Sequence, residues 1–207
     1  MMSSRKFFVP SGIEQFKYKE KGSLFLSQIF PVDSVAKANE ILTDIKKQYF
    51  DATHNCYAYK IFPDNFKYSD DGEPKGSAGI RIYNAIIHYN LFNTLIIVTR
   101  YFGGTKLGIG PLGNAYYTSA CNVIENSRLT EKYQYFSIKV STDFSNSKTI
   151  YRFLQEIKAI NIHSSYEKEL TISAFIPIEM AEKLNSLNKQ QDLYKLEFNL
   201  SEESYLF

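Results

Sequence analysis

The sequence predicts an α+β fold made of two units that follow one another along the chain. Over the first 130 residues, short apolar runs typical of strands alternate with spacings of three and four residues typical of helices. After residue 130 the same patterns occur in the order strand, helix, strand, strand, helix, strand. A hydrophobic content of 44%, with 15% aromatic residues, is sufficient for two cores. We therefore expect domains at residues 1–129 and 130–207.

The first unit begins with strands at residues 23–30 and 54–62, each of which ends before a proline. Between them, Asp33 or Ser34 precedes a stretch with helical spacing and is expected to cap a helix. The apolar positions of this helix are Val35, Ala38, Leu42, Ile45 and Tyr49. Residues 66–76 carry neither pattern and are predicted to form a loop.

The rest of the first unit contains two further helices and a strand. Ser77 is expected to cap a helix that presents Ile82, Ala85, Ile86 and Tyr89 on one side. The continuous apolar run at residues 95–98 predicts a strand buried on both faces. Pro111 suits the first position of a last helix, at about residues 112–126. The glycines that interrupt the chain before it are Gly103, Gly104, Gly108 and Gly110.

The second unit begins near Thr130 and has the βαββαβ order of a ferredoxin-like domain. Its strands and helices are predicted from apolar residues spaced by two or by three and four. These residues are Phe136, Ile138 and Val140; Ile150, Phe153, Leu154 and Ile157; Ile160 and Ile162; Leu170, Ile172, Ala174 and Ile176; Met180, Leu184 and Leu187; and Leu196, Phe198 and Leu200.

The cysteines and the apolar runs indicate a cytoplasmic protein. Cys56 and Cys121 are the two cysteines, and they lack the spacing of a metal site or a CxxC motif. The apolar stretch near the N-terminus is too short for a signal peptide, and no run approaches the ~18 residues that cross a bilayer. We expect no cofactor, no metal and no membrane partner.

Two polar blocks that contain glycines are the most informative part of the chain. They read DDGEPKGSAG at residues 70–79 and RYFGGTKLGIGPL at residues 100–112. Charges beside glycines are typical of loops whose backbone approaches another group. Together the blocks resemble the signature of the IMPACT family, also called the YigZ family, which reads close to DDGEPSGTAG and RYFGGIKLGTGGL. The resemblance covers nearly the whole chain and is to the bacterial type, which has a C-terminal domain.

This resemblance implies both a fold and a cellular context. It implies that the first domain has the α/β fold of a small-subunit ribosomal protein domain and of the fourth domain of elongation factor G. The second domain is similar to that factor's fifth domain, which is ferredoxin-like. The pairing implies a role in translation, with RNA, the ribosome or a protein of translation control as partner. Fold by itself does not establish function.

Basic residues and glycines of both blocks are candidate contacts for RNA phosphates or another anion. Glycines allow backbone N–H groups to approach an anion, and the start of the helix after Ser77 attracts negative charge. The full set is Lys75, Gly76, Ser77, Arg81, Arg100, Gly103, Gly104 and Lys106. The alternative is a glycine turn required by the connection from strand to helix, with Tyr101 and Phe102 buried in a core.

The carboxylates Asp70, Asp71 and Glu73 are compatible with a metal site or with acid–base chemistry. We instead predict a structural polar loop, in which they bond backbone N–H groups and pair with Arg100, since the block contains no histidine. A nucleophilic Cys56 is disfavoured because no orienting partner is evident from the sequence.

Three residues depart from the family pattern. Asn114 replaces the usual arginine and removes one expected basic contact, whereas Arg81 stands where relatives usually carry proline and adds a charge near Lys75. Ser77 replaces threonine and keeps the hydroxyl group.

Charge and motifs together predict a non-enzymatic, translation-associated factor that contacts RNA, the ribosome or a translation regulator through the basic glycine-rich loop. Residues 1–130 carry 15 Lys and Arg against 11 Asp and Glu, a net charge of +4 that favours an anionic partner. Two alternatives remain: a hydrolase or small-molecule enzyme with its site where the acidic loop meets RYFGG, and a module that binds only proteins.

Overall fold

A computed structural model of the chain describes residues 6–180 with their side chains and residues 197–206 as backbone. The chain divides into two compact units, of which the first comprises residues 7–131 and the second is built mainly from the residues after 131. Both units combine helices with antiparallel sheets, which confirms the predicted α+β class. Within the described residues, no helix has the length and apolarity needed to cross a membrane.

The first unit is a five-stranded antiparallel sheet, in the order β2-β3-β6-β4-β5, with three helices. Its elements are β1 (Lys6–Pro10), β2 (Glu14–Glu20), β3 (Ser23–Pro31), α1 (Val35–Gln48), β4 (His54–Ile61), β5 (Asn65–Ser69), α2 (Gly79–His88), β6 (Thr94–Tyr101) and α3 (Ile109–Glu125). Strand β1 is held outside this sheet by backbone hydrogen bonds of Phe8 with Asn90 and Phe92.

The central strand β6 separates two apolar cores, as the run at residues 95–98 predicts. Ile96 and Val98 point towards the core that α2 and α3 cover. Leu95 and Ile97 point to the opposite face, which α1 covers. Successive side chains of a strand alternate between faces, so a strand between two cores is apolar throughout. Because β6 lies in the middle of the sheet, its C-terminal residue pair, Arg100 and Tyr101, is held on a rigid support.

Several local predictions are wrong, and each error has a physical cause. Residues 66–69, predicted as part of a loop at 66–76, belong to the edge strand β5, in which Phe66 and Tyr68 alternate with polar residues over a stretch of only five residues. Strands β1 and β2 are additional elements that we did not predict, although Phe16 and Tyr18 of β2 alternate with polar residues. Helix α3 begins at Ile109, so Pro111 occupies its third position. This position is still within the first turn, where a backbone N–H group would have no intrahelical acceptor, so a proline there costs no hydrogen bond.

In the described part of the second unit, a helix packs on a sheet that includes β10, β7, β9 and β8 as antiparallel neighbours in that order. Its elements are β7 (Leu129–Thr142), α4 (Ser147–Glu156), β8 (Ile160–Tyr166), β9 (Leu170–Pro177) and β10 (Glu197–Leu206). The predicted helix positions of α4 supply Ile150 and Leu154 to the core. Met180 ends a short 3-10 turn, and the rest of the helix predicted from Leu184 and Leu187 lies outside the described residues.

Candidate functional site

The two motif blocks meet at a buried ion pair between Glu73 and Arg100. Arg100 Nη1 donates to Glu73 Oε1 at 2.6 Å, and the two side chains are only 7% and 4% exposed. The other terminal nitrogen, Nη2, donates to Ser23 Oγ at 3.3 Å. The expected pairing of the acidic loop with Arg100 is therefore present, and it joins the end of β6 to the turn before α2.

Glu73 is also the centre of a buried hydrogen-bond network. The Tyr116 hydroxyl of α3 donates to Glu73 Oε1 at 2.7 Å, and His54 Nε2 lies 3.8 Å from Oε2. On the opposite side of its ring, His54 Nδ1 donates to the Asp71 carbonyl oxygen at 2.7 Å. Since that oxygen can only accept, the hydrogen bond fixes the ring with Nε2 towards Glu73.

Burial suppresses the acidity of the two other members of the network. Burial, with smaller contributions from Cys56 and Glu73, raises the pKa of the Tyr116 hydroxyl far above its ordinary value. Burial likewise raises the pKa of the Cys56 thiol, and the surrounding carboxylates add to the effect. Cys56 donates to the Asp70 carbonyl oxygen at 3.0 Å and contacts the Tyr116 hydroxyl at 3.4 Å. A neutral, buried thiol is a poor nucleophile.

Asp70 caps helix α2, a role that the sequence analysis assigned to Ser77. Its carboxylate accepts hydrogen bonds from the backbone N–H groups of Gly76, Ala78 and Gly79 at 2.8, 3.0 and 2.8 Å. Ser77 is 1% exposed and its hydroxyl donates to the Pro74 carbonyl oxygen at 2.6 Å, so the predicted Ser77 cap is wrong. The anion at this helix terminus is the chain's own carboxylate.

Asp71 completes the acidic loop through contacts with the first helix and with β4. It accepts a hydrogen bond from Asn55 N at 2.7 Å and pairs with Lys46 Nζ at 2.6 Å. All three carboxylates of the loop therefore have partners within the protein. Among residues 6–180, no group of three His, Cys, Asp or Glu side chains has the geometry of a metal site.

The glycines of the second block have different structural roles. A Cβ atom on Gly103 would overlap the backbone of Gly22 and Ser23, so this glycine is required by close packing of two chain segments. Gly104 has a φ of 85° and open space around the position of a Cβ. Gly104 therefore serves the turn itself, and its backbone faces open space.

A cleft of about 390 Å³, which we call the basic cleft, opens beside this ion pair. Its polar residues include His54, Glu73, Arg100 and Lys106. Arg100, Lys106 and Glu73, two cations and one carboxylate, together carry a net charge of +1. The apolar part of the wall is formed by Phe102, Leu107, Ile109 and Leu112. Such a mixed wall suits a ligand that is anionic at one end and apolar at the other.

Helix α3 begins at the basic cleft without a side-chain cap. Its N-cap is Gly108, with a φ of 87°, and the first intrahelical hydrogen bond runs from Leu112 N to the Gly108 carbonyl oxygen at 2.9 Å. Pro111 has no N–H group, so the free amides of this first turn are those of Ile109 and Gly110. Gly108 and Ile109 both line the cleft.

The structure brings some of the predicted site residues together and separates others. Arg100 and Lys106 line the basic cleft, whereas Lys75, Gly76, Ser77 and Arg81 are not part of its wall. Arg81 instead lies against α3, where its Nε would be 3.1 Å from a Cβ placed on Gly113. Asn114 is exposed on the same helix.

Sequence reasoning missed Tyr116 and the first turn of α3 as parts of the site. Tyr116 is in an apolar helix stripe, and nothing in that stripe indicates that its hydroxyl reaches a carboxylate 43 residues earlier. The first turn of α3 was overlooked because Pro111 was placed at the first position of the helix. The GxG spacing of residues 108–110 before Pro111 was the available signal.

Comparison with known proteins agrees with the resemblance noted from the motifs. A family profile described as the Impact N-terminal domain matches residues 21–124. The chain is 32% identical over 156 residues to the IMPACT family member YvyE of Bacillus subtilis (strain 168), which covers 74% of this chain and 72% of that protein. It is 31% identical over 94 residues to Protein IMPACT of Rattus norvegicus, covering 43% of this chain and 30% of that protein.

A solved structure described as a hypothetical protein has the same fold. It matches with a TM-score of 0.62 at 21% identity, and the match covers 96% of this chain and 98% of the other. At this level of identity the similarity is one of fold.

Proposed function

Because the chain belongs to the IMPACT family, we propose that it is a cytoplasmic, non-enzymatic factor of translation that binds RNA. The observation that carries this proposal is the basic cleft, where the exposed Lys106 and the buried Arg100 lie beside an uncapped helix terminus. Loops held by a rigid scaffold are the usual place for binding residues. The RNA includes that of the ribosome, and a protein of translation control is the alternative partner.

The proposed domain types rest on topology and on the family resemblance. In the second unit, the first and third strands, β7 and β9, are neighbours, with β10 and β8 on their outer sides. We infer a ferredoxin-like domain from this order and from the helix between β7 and β8. For the first unit, we infer the type shared with a ribosomal protein and with the fourth domain of elongation factor G.

The glycine loop, which we define as residues 102–108, supplies features suited to single-stranded RNA. Phe102 is 46% exposed, so its ring is accessible for stacking on a base, and Lys106 is exposed. Lys75 and Arg81 are also exposed, and we propose them as peripheral contacts to phosphates. The net charge of +4 on residues 1–130 adds a long-range attraction.

The test is the salt dependence of binding to a short single-stranded RNA. We expect log Kd to rise linearly with log salt concentration, and Lys106→Ala should lower the slope by ~0.7, the value for one lost contact to a single strand. Lys47→Ala is the matched control, because Lys47 is an exposed lysine of the same unit on α1. An absence of RNA binding at low salt would overturn the proposal.

A hydrolase is the second candidate, because the basic cleft places His54, Glu73 and Arg100 together. A histidine beside a buried carboxylate is a common arrangement for general acid–base chemistry. The same RNA, recovered after incubation, distinguishes the two functions. Intact RNA supports a binding protein, whereas cleavage that is lost in His54→Asn supports a hydrolase.

A further inference from the structure

Helix α3 begins at the basic cleft, where Gly108 and Ile109 form part of the wall, and its first turn contains two backbone donors without an intrahelical acceptor. The amides of Ile109 and Gly110 precede the first intrahelical hydrogen bond, and no side chain in the described part of the chain caps them. Amides at the start of a 17-residue helix carry the positive end of its dipole. A group that accepts hydrogen bonds and carries negative charge is favoured at this position.

Arg100, another residue of the cleft wall, contains a buried donor that lacks a partner within the described residues. Its side chain forms part of the cleft wall and is only 7% exposed, that is, 93% buried. Two of its nitrogens are engaged with Glu73 and Ser23, but Nε has no hydrogen-bond partner among residues 6–180. A buried donor without a partner is costly, and a bound acceptor would remove that cost.

The depth of this donor restricts what can reach it. Since the Arg100 side chain is almost fully covered, a ligand has to enter the cleft to meet it. An internal phosphodiester is continued by the chain on both sides, so it runs along a surface. A terminal phosphate enters end-on, and its second negative charge interacts more strongly with the net +1 charge of Arg100, Lys106 and Glu73.

The apolar wall fits the rest of one nucleotide. Ile109 is 67% exposed and Phe102 46% exposed, so both present large apolar surfaces at the mouth of the cleft. A base stacked on the Phe102 ring would cover one of these surfaces. A volume of about 390 Å³ is at the lower end of the range for small-ligand sites, which suits a single nucleotide.

We propose that the basic cleft binds a terminal nucleotide through its phosphate monoester. The phosphate lies at the amides of Ile109 and Gly110, with Lys106 and Arg100 as its cations and with the base against Phe102. This inference rests on the proposed RNA-binding function and adds that the protein recognises an RNA end. The same chemistry is present in a free nucleoside monophosphate.

The experiment compares one short oligoribonucleotide in three forms: with a 5′-phosphate, with a 3′-phosphate and with hydroxyl groups at both ends. We expect one phosphorylated form to bind at least about tenfold more tightly than the unphosphorylated form, the effect of one or two charge-assisted hydrogen bonds. Equal binding of all three forms would overturn this inference and leave the proposed function standing. No binding of any form would overturn the proposed function.

Two variants of Ile109 test the role of the helix terminus. Ile109→Pro removes the N–H group and is compatible with the first position of a helix, whereas Ile109→Ala removes the side chain and keeps the N–H group. We expect the proline variant to lose most of the preference for the phosphorylated RNA. The alanine variant should bind all three forms more weakly, because it loses part of the apolar wall, but should keep the ratio of affinities between the phosphorylated and unphosphorylated forms. A preference of the same size in both variants would contradict the role of this amide.

A competition with adenosine monophosphate identifies the source of the phosphate. Displacement of the phosphorylated RNA at micromolar nucleotide assigns the site to a free nucleotide. Displacement only at millimolar nucleotide assigns it to an RNA end, since the RNA then gains from further contacts. Displacement by inorganic phosphate at the same concentration as the nucleotide would contradict a nucleotide site and indicate an adventitious ion only.

Discussion

The ion pair between Glu73 and Arg100 joins both motif blocks, so its removal should weaken the whole first unit. In Glu73→Gln the side chain keeps its shape and one oxygen for the Tyr116 hydroxyl, but Arg100 becomes a buried charge without a counter-ion. Removal of one partner of a buried ion pair costs about 3–5 kcal/mol. For residues 7–131, an unfolding entropy of ~2.1 cal/mol/K per residue converts this cost to a decrease in Tm of about 10–20 °C.

The assay is urea unfolding, followed by far-UV circular dichroism and by amide hydrogen exchange of β6, which reports on the first unit alone. Glu40→Gln is the control, since Glu40 forms an exposed ion pair with Lys37 at 3.0 Å, a type worth about 0–1 kcal/mol. The double variant Glu73→Gln/Arg100→Met removes both charges and should recover part of the loss. A loss below about 1 kcal/mol in Glu73→Gln would show that the ion pair does not stabilise the first unit, because Glu73 would then behave like the exposed Glu40.

Three further predictions concern the supports of the site. Gly103→Ala should destabilise the first unit by on the order of 2–4 kcal/mol, because the added Cβ would overlap a neighbouring backbone. Gly104→Ala, with open space around the added Cβ, should cost about 1 kcal/mol. Equal losses of stability in urea unfolding would contradict the close packing at Gly103. Asp70→Ala should cost about 1–2 kcal/mol and accelerate amide exchange at the start of α2, and unchanged exchange there would exclude the cap. Burial raises the pKa of the Cys56 thiol, so the folded state favours the neutral thiol. The contribution of this preference to folding stability is complete below the thiol's ordinary pKa of 9.0 and declines above it. The free energy of unfolding should then fall by up to ~1.4 kcal/mol per pH unit, and less steeply in Cys56→Ala; identical slopes would contradict the assignment.

The elements that the sequence predicted well are those whose evidence is local. The apolar run at residues 95–98 reports directly on a strand between two cores. Ser34 accepts a hydrogen bond from Lys37 N at 3.2 Å, three residues away, as an N-cap pattern predicts. The family resemblance, which rests on two continuous motifs, is confirmed by the match to residues 21–124.

The errors come from contacts between residues that are far apart in the chain. Ser77 is close in sequence to the first amides of α2, yet these amides donate to Asp70. Asp70 lies eight residues before Ala78 in the chain, and the turn between them places its carboxylate at the start of the helix. In the sequence, Gly103 suggests backbone flexibility or anion contact. In the structure, the backbone of Gly22, 81 residues earlier in the chain, leaves no room for a side chain at this position. A single sequence without the fold contains neither relation.

Binding of RNA at the basic cleft can be tested by titrating the isotope-labelled protein with single-stranded RNA and following the amide chemical shifts in NMR spectra. We expect the largest shift changes on residues 102–112, including the Gly110 amide, and on His54 at the cleft wall. Residues 132–180 should change little and serve as the internal reference. Shift changes confined to residues 132–180, with those of residues 102–112 unchanged, would show that the RNA does not bind at the basic cleft.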